Sequence, residues 1–298
     1  MTLPVLTGAQ ITTLVSPADA VDAIEAALRG ADPAGDPARS VVDVERGQLL
    51  LMPSTNPSVF GVKLVTVGQP GRSPRVQGVY VLFDAETLAP KAILDGAALT
   101  TLRTPAVSIA AVKPTLLRRT TAPRVVVFGA GPQGTGHADT LAAVCDVADV
   151  AYVVREPRGR ERTYRAGSAQ VEAVLRAADV VVCATTARTP LFDSALLSDD
   201  AIVIAVGAHE PDAREVDSAL MAGAQVVVED VATALRECGD VVLAIDDGSL
   251  DADALVPLRD VVTGAVVPPD SGPVVFKGSG MAWQDLAVAA RVYAAFTA

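Results

Sequence analysis

Runs of apolar residues divide the chain into two parts with different patterns. In the first part, short strand-like runs follow one another with only turns between them, which predicts a meander in a largely antiparallel or mixed sheet. These runs are Ser40–Val44, Gln48–Met52, Gly61–Val67, Gly78–Asp84 and Ala92–Leu94. In the second part, predicted strands alternate with predicted helices, which is typical of a doubly wound α/β domain.

The second part opens with four consecutive apolar residues, Val125–Phe128. Such a run is typical of a parallel strand that is covered on both faces. Further strands are predicted at Val150–Val154, Val180–Ala184, Ile202–Val206 and Gln225–Val228, and helices at about His137–Val144 and Ala169–Ala177. We therefore expect an α/β protein in which a sheet domain precedes a doubly wound domain.

Three helices are predicted outside the doubly wound part. Ser16 is a suitable N-cap, and the proline after it opens a helix that runs to about Arg29. Leu99–Pro105 begins a second helix, with a threonine cap and the proline in the first turn, and Pro114 ends it. A last helix, Ala282–Phe296, is expected to return to the first domain.

Composition and charge narrow the class of protein. The 298 residues are 50% hydrophobic and 20% charged, which is typical of a globular chain of one large or two medium domains. The formal net charge of −11 and the absence of a basic tract argue against a nucleic-acid partner. Neither a signal peptide nor an apolar stretch long enough for a membrane span is evident, so we expect a cytoplasmic protein.

The three cysteines, Cys145, Cys183 and Cys238, are odd in number, widely spaced and flanked by apolar residues. This pattern predicts buried thiols in a reducing compartment, in preference to a nucleophile, a disulfide or a metal site. No metal site is expected elsewhere.

A G-x-G-x-x-G sequence follows the first strand of the second part. Gly129 would make the tight turn, Gly131 would let the backbone approach a pyrophosphate, and Gly134 would let the helix pack on the strand. The phosphates would then lie at the helix N-terminus. We predict a Rossmann-type dinucleotide-binding domain; the alternative is an ordinary glycine-rich turn.

The end of the second strand of this domain indicates which nucleotide is bound. NAD sites usually carry an acidic residue there, whereas here Arg155 follows the strand and Arg158, Arg160 and Arg162 come soon after. An arginine would attract a 2′-phosphate, so NADP(H) is favoured. Glu156 leaves NAD(H) possible, and the alternative for the arginines is a solvated turn.

Three cations of the first part are candidates for binding an anion: Arg39, Lys63 and Arg103. Lys63 interrupts an apolar strand, and the pattern alone leaves open whether it faces solvent or a pocket. Arg103 is predicted in the first turn of a helix, where the dipole disfavours a cation, which indicates an anion site. His209 follows a buried strand at the ligand-binding edge; it is a candidate acid or base, or a bystander.

Seven motifs occur in the order and spacing of one family: Leu51–Pro53, Gly61–Lys63, Leu99–Thr104, the glycine loop, Cys183–Thr186, Ala205–Gly207 and Phe276–Leu286. Through them, nearly the whole chain resembles the ornithine cyclodeaminase/μ-crystallin family of NAD(P)-dependent oxidoreductases. The resemblance implies that Arg39, Lys63 and Arg103 bind a substrate carboxylate, which favours the pocket for Lys63. It also implies a homodimer built mainly through the first domain.

The resemblance assigns functions to the two predicted domains. Residues 1–117, joined by the C-terminal helix 282–298, would form a smaller α+β substrate-binding and dimerisation domain, and residues 118–281 the Rossmann-type NAD(P)-binding domain. The residues predicted to bind the cofactor are Gly129, Gly131, Pro132, Gln133, Gly134, Arg155, Thr104, Thr185, Val206, Gly207 and Gly278.

The chain departs from the family pattern at two positions. His209 stands where members that cyclise ornithine have an aspartate, and an imidazole cannot hold an ammonium group as a carboxylate does. Ser279 lies one residue later than the serine that usually follows the family's lysine, here Lys277. Cyclisation of ornithine is therefore not the expected reaction.

We predict an NADP(H)-dependent oxidoreductase that moves hydride between nicotinamide and the α-carbon of an imino or amino acid. The expected reaction is reduction of a cyclic ketimine such as a pyrroline- or piperideine-2-carboxylate, with Lys63, His209 and Arg103 as catalytic residues. An alanine-type dehydrogenase, an ornithine cyclodeaminase and a non-catalytic NADPH-binding protein are the alternatives. A short-chain dehydrogenase is excluded because no tyrosine has a lysine four residues later.

Overall fold

Two β-sheets organise the computed structural model of the protein, which describes residues 3–30, 35–69 and 74–298. The chain forms two compact units, one of Met1–Val107 with Gly280–Ala298 and one of Ser108–Ser279. The predicted domain boundary after residue 117 follows the end of a long helix, whereas the two units divide within that helix. Among the described residues, no helix is long and apolar enough to cross a membrane.

The strands are β1 (Val5–Leu6), β2 (Ser40–Val44), β3 (Gly47–Thr55), β4 (Val59–Gly68), β5 (Val76–Asp84), β6 (Pro90–Asp95), β7 (Arg124–Phe128), β8 (Asp149–Val154), β9 (Thr163–Arg165), β10 (Val180–Cys183), β11 (Ile202–Ala205), β12 (Gln225–Val228), β13 (Val256–Pro257) and β14 (Val274–Lys277). The α-helices are α1 (Gly8–Leu14), α2 (Pro17–Arg29), α3 (Gly96–Leu116), α4 (Pro132–Val144), α5 (Ala169–Arg176), α6 (Ser218–Gly223), α7 (Val231–Glu237), α8 (Gly239–Asp246), α9 (Leu258–Thr263) and α10 (Ala282–Thr297).

The sheet of the first unit has the order β1-β6-β5-β4-β3-β2. Neighbouring strands from β2 to β6 are antiparallel and β1 pairs in parallel with β6, so the predicted mixed meander is confirmed. Helix α10 packs on α2 and on β3, β4 and β5. Alternate residues of β4 are buried, namely Gly61, Lys63 and Val65. The side chain of Lys63 therefore lies on the buried face of the sheet.

Helix α3 differs from its prediction at both ends. The side chain of Asp95 accepts hydrogen bonds from the backbone N–H groups of Ala97 and Ala98 at 2.9 and 3.0 Å, so the helix begins at Gly96. The predicted threonine cap is therefore wrong, and both of its prolines lie inside the helix. Arg103 is about two turns from the helix start, so its supposed position at a helix N-terminus was wrong too.

The sheet of the second unit is entirely parallel, in the order β13-β12-β14-β11-β10-β7-β8-β9. Strand β7 lies between β10 and β8, so the strand order reverses at β7, where Rossmann-type folds bind nucleotides. The predicted doubly wound fold is confirmed. Strand β14, which the sequence did not predict, inserts between β11 and β12.

Smaller corrections concern single elements of the second unit. Helix α4 begins at Pro132, directly at the glycine loop, and not near His137. Cys183 and Cys238 are buried as predicted, but Cys145 is only half-buried; all three are free thiols. Helices α6 to α9 were also missed, because each is only six to eight residues long and shows little periodicity.

Candidate functional site

The glycine loop of the second unit joins β7 to α4, and its three glycines meet different surroundings. Gly129 has a positive φ of 97°, and a Cβ there would lie 2.5 Å from the carbonyl oxygen of Ala184. A Cβ on Gly134 would overlap the carbonyl oxygen of Gly129. A Cβ on Gly131, the N-cap of α4, would meet nothing within 4 Å. The loop is thus closed on the protein side and open at Gly131, which fits a pyrophosphate at the helix start.

Glu215, a buried carboxylate that the sequence analysis missed, joins the loops that follow β10 and β11. It accepts hydrogen bonds from the backbone N–H and hydroxyl of Thr185, at 2.9 and 2.7 Å, and from the N–H groups of Gly207 and Ala208, at 2.6 and 3.3 Å. Burial raises the pKa of Glu215 above its ordinary value, while Lys277 and Thr185 oppose that change. Two predicted cofactor residues, Thr185 and Gly207, are therefore held together at the carboxyl edge of the sheet.

A fully buried ion pair, Lys277 with Asp240, contacts the same loops. Lys277 lies 2.9 Å from Asp240 and also donates to the carbonyl oxygen of Ala208. Asp240 accepts from the backbone N–H groups of Glu215 and Val216 at 2.6 and 3.0 Å. Burial alone would lower the pKa of Lys277, but Asp240, Cys238 and Glu215 together outweigh it and the pKa is raised. Lys277 is consequently a charged structural group.

Two other predicted cofactor residues, Val206 and Gly278, follow strands at the same edge of the sheet. Val206 donates its N–H to the Cys183 carbonyl at 3.0 Å, and Gly278 donates to the Ala205 carbonyl at 3.1 Å. The predicted catalytic residue His209 is exposed, with Nδ1 3.3 Å from the carbonyl oxygen of Gly207.

The arginines after β8 divide into two groups. Arg155, directly after the strand, is exposed. Arg160 lies over the ring of Tyr152, 3.7 Å from its centroid, and Arg162 pairs with Asp149. Arg155 is therefore the exposed arginine at the strand end, whereas Arg162 forms an ion pair with Asp149.

In the first unit, Lys63 is 2% exposed and makes three hydrogen bonds. Its ammonium nitrogen lies 2.6 Å from Thr100 Oγ1 and 3.1 and 3.3 Å from the two carboxylate oxygens of Asp285. Thr100 belongs to α3 and Asp285 to the first turn of α10. The lysine of the strand is therefore held by two helices.

Arg103 and Arg39, the two other candidate cations, lie in the same unit and contact α10 or the segment just before it. Arg103 is 6% exposed, donates to Gln284 Oε1 at 2.6 Å, and has its Nε 3.6 Å from an oxygen of Asp285. Arg39 donates to the carbonyl oxygen of Gly280 at 3.1 Å. A Cβ on Gly280 would approach both terminal nitrogens of Arg103 to 3.0 Å, so this position keeps a glycine beside the guanidinium.

Electrostatics in the cluster of Lys63, Arg103 and Arg39 favour an anionic ligand. The pKa of Lys63 is lowered to about 8, mainly by burial; the charges of Arg103 and Arg39 also lower it, and Asp285 opposes the change. Lys63 and Arg103 share the carboxylate of Asp285, and within the described residues the buried Nε of Arg103 has no hydrogen-bond partner. A carboxylate from a ligand would stabilise the cations and use arginine's planar donors.

Two further predictions concern Thr104 and metals. Thr104, a predicted cofactor residue, is half-buried on α3 of the first unit. No group of histidine, cysteine and acidic residues in the described part of the chain is arranged to hold a metal ion.

Comparison with known proteins places the chain among oxidoreductases of amino- and imino-acid metabolism. It is 34% identical to Delta(1)-pyrroline-2-carboxylate reductase 2 of Burkholderia ambifaria over 84% of this chain and 82% of that protein. It is also 34% identical to the ketimine reductase mu-crystallin of Mus musculus, over 86% and 84% of the two chains. An archaeal alanine dehydrogenase, solved as a dimer with bound NAD, superposes with a TM-score of 0.86 at 26% identity, covering 100% of this chain and 97% of the other.

The family model agrees with these similarities and with the motifs that first indicated them. Residues 3–298 match the model of one family, and this range includes the whole cation cluster and the glycine loop. The chain belongs to the ornithine cyclodeaminase/mu-crystallin family.

Proposed function

We propose that the protein is an NADP(H)-dependent reductase of cyclic ketimines, such as pyrroline- or piperideine-2-carboxylate. The observation that carries this proposal is the buried cluster in which Lys63 and Arg103 share one carboxylate beside Arg39. Such a cluster fits the carboxylate of a small acid. The relatives named for reduction of the same class of C=N bond support the choice of substrate.

In this proposal the residues of the first unit bind the acid and supply the proton. Arg39 and Arg103 hold the substrate carboxylate through their guanidinium groups. Lys63 gives a proton to the imine nitrogen, for which a pKa of about 8 is well suited near neutral pH. His209 assists that proton transfer.

The residues of the second unit bind the cofactor. Gly129, Gly131 and Gly134 form the pyrophosphate cradle, and Thr185 and Gly207 are held at the neighbouring strand ends. A bound nicotinamide supplies the hydride that reduces the imino carbon. Arg155 is proposed to bind the 2′-phosphate, which would make NADPH the preferred donor.

A homodimer is proposed for the first unit. Strand β2 lies at the edge of its sheet, and Val41, Val42 and Val44 are 50, 47 and 49% exposed. Exposed apolar edge strands are suited to pairing with another chain. The dimeric alanine dehydrogenase of similar fold supports this assignment.

The decisive experiment is NADPH oxidation with a panel of substrates. We expect turnover of pyrroline- or piperideine-2-carboxylate that exceeds turnover of pyruvate with ammonia. Ornithine with NAD should yield no proline. Tight NADPH binding without turnover of any substrate would refute the enzyme assignment, and conversion of ornithine to proline would refute the inference from His209.

A further inference from the structure

The carboxylate of Asp285 lies at the centre of the cation cluster of the first unit. Asp285 is fully buried, with both oxygens near Lys63 Nζ and one of them 3.6 Å from Arg103 Nε. A buried carboxylate is costly unless it is paired. Lys63 and Arg103 together supply that pairing, so Asp285 and the two cations depend on one another.

The first turn of α10 provides two contacts to the cluster, not one. Gln284 accepts from Arg103 Nη1 at 2.6 Å, and the next residue, Asp285, approaches Arg103 Nε. A negative charge in the first turn of a helix is also favoured by the helix dipole. The turn thus orients the guanidinium and places a carboxylate beside both cations.

The charged groups around Lys63 have opposite effects on the pKa of its ammonium group. Asp285 from α10 favours the ammonium, while Arg103 from α3 and Arg39 disfavour it. Tyr80 of β5 stands opposite Lys63 in the sheet; burial raises its pKa, and Asp285 and Asp36 raise it further, so it stays a neutral phenol. Asp285 is therefore the group in this set that holds the proton on Lys63.

We infer that Asp285 is a positioning residue that keeps Lys63 charged and aimed, and that orients Arg103, before any substrate arrives. This inference rests on the proposed function only for its consequence in catalysis. The state of Lys63 itself is a property of the free protein. A substrate carboxylate would then meet a cluster whose geometry and charge are already set.

The direct test is a titration of Lys63 in the free protein. The chain has only four lysines, Lys63, Lys91, Lys113 and Lys277, so ¹³C-labelled lysine gives few signals, and Lys63→Arg assigns one of them. In Asp285→Asn the pKa of Lys63 should fall by about one unit or more, a tenfold loss of protonated lysine at a pH above both values. Arg291→Gln, which removes an exposed ion pair between α10 and Asp19, is the control and should leave Lys63 unchanged.

Activity gives an independent measurement on the same variants. With the cyclic imine, Asp285→Asn should lose about tenfold in kcat/KM at a pH above both pKa values, and the alkaline limb of its pH profile should move to lower pH. The KM for NADPH should stay within about twofold, since the change is confined to the acid-binding cluster. Asp285→Glu, which keeps the charge, should recover part of the activity.

The outcomes separate the two proposals. An unchanged pKa of Lys63 in folded Asp285→Asn would overturn the inference, whatever the enzyme reduces. A lowered pKa in a protein that turns over no imine would support the inference and contradict the proposed function. If Asp285→Asn does not fold, Asp285→Ser replaces it as the variant without the carboxylate: an unaltered titration of Lys63 in Asp285→Ser would contradict the role of Asp285.

Discussion

Lys63 combines nearly complete burial with a pKa of about 8, and both follow from its place in the chain. The alternation of β4 directs its side chain inward, and burial then favours the neutral amine. Lys63 is thereby a member of the cluster that can lose a proton near neutrality.

Replacement of Lys63 tests its function without removing the cofactor site. Lys63→Met should lower kcat/KM for the imine by about 10²–10⁴, the range of general acid catalysis. NADPH affinity, measured by fluorescence titration, should hardly change. Lys91→Met, which removes a partly exposed lysine paired with Asp84, should retain activity. Loss of NADPH binding in Lys63→Met would mean that the lysine has been assigned wrongly.

The same lysine predicts the pH dependence of the reaction. The protonated form is the active one, and burial lowers its pKa to about 8, so activity is retained below that value and lost as the pH rises through it. The profile of kcat/KM with saturating NADPH should show an alkaline limb near pH 8. A flat profile up to about pH 10, near the ordinary pKa of lysine, would contradict this function.

The proposed preference for NADPH depends on Arg155. Arg155→Ala should reduce the preference for NADPH over NADH by roughly ten- to a hundredfold, as expected for loss of a hydrogen bond to a charged group. The ratio of kcat/KM values for the two cofactors measures this. Arg162→Ala is a matched control, because Arg162 pairs with Asp149. An unchanged ratio in Arg155→Ala would exclude a 2′-phosphate contact.

At the scale of elements, the turn from β7 to α4 shows that glycines in one motif have different functions. Gly134 is required by the close approach of the helix to the Gly129 carbonyl, whereas Gly131 faces open space. The first is a requirement of the fold and the second is available to a ligand.

A pair of alanine substitutions should separate these two functions. Gly134→Ala should destabilise the protein by about 1–3 kcal/mol because the new Cβ overlaps backbone. Gly131→Ala should leave the thermal midpoint near that of the wild type and weaken NADPH binding roughly tenfold. Calorimetry and fluorescence titration measure the two effects. Equal NADPH affinity in Gly131→Ala and wild type would remove Gly131 from the cofactor site.

At the scale of the whole molecule, the exposed edge strand β2 bears on assembly. Its three valines lie on both faces of the strand, and a lone chain would leave them in water. Helix α10 comes last in the chain and yet packs on the sheet of the first unit. Both ends of the chain therefore build this unit.

Sedimentation measures the proposed homodimer. The wild-type protein should sediment at twice the chain mass, and Val42→Lys with Val44→Lys should shift it to monomer, since charged residues on an edge strand oppose pairing. Val267→Lys, at a valine that is 71% exposed in the second unit, is the control and should stay dimeric. A wild-type monomer would contradict the dimer, and a dimer that survives both lysines would exclude β2 as its interface.

Local pattern and motif spacing were sufficient to predict much of this protein. Four apolar residues before a G-x-G-x-x-G predicted β7 and its turn, because a buried parallel strand and a phosphate loop are both encoded by neighbouring residues. The start of α3 was predicted too late because a threonine was expected to cap the helix, whereas the side chain of Asp95 caps it. Strand β14 was missed because its pairing partners lie far away in the chain.

By itself, the sequence determined the family and the order of the two sheets, since motifs and apolar runs at short or regular spacing encode both. Through the resemblance to the family, it also indicated Arg39, Lys63 and Arg103 as candidates for one anion site. Only the tertiary structure decided how those cations are balanced. Lys63 is separated from Asp285 by 222 positions, and Arg103 from Gln284 by 181, so no periodicity relates them. Likewise, burial and charge neighbours set the protonation of Lys63 and the structural function of Lys277, because both depend on distances that arise only when the chain has folded.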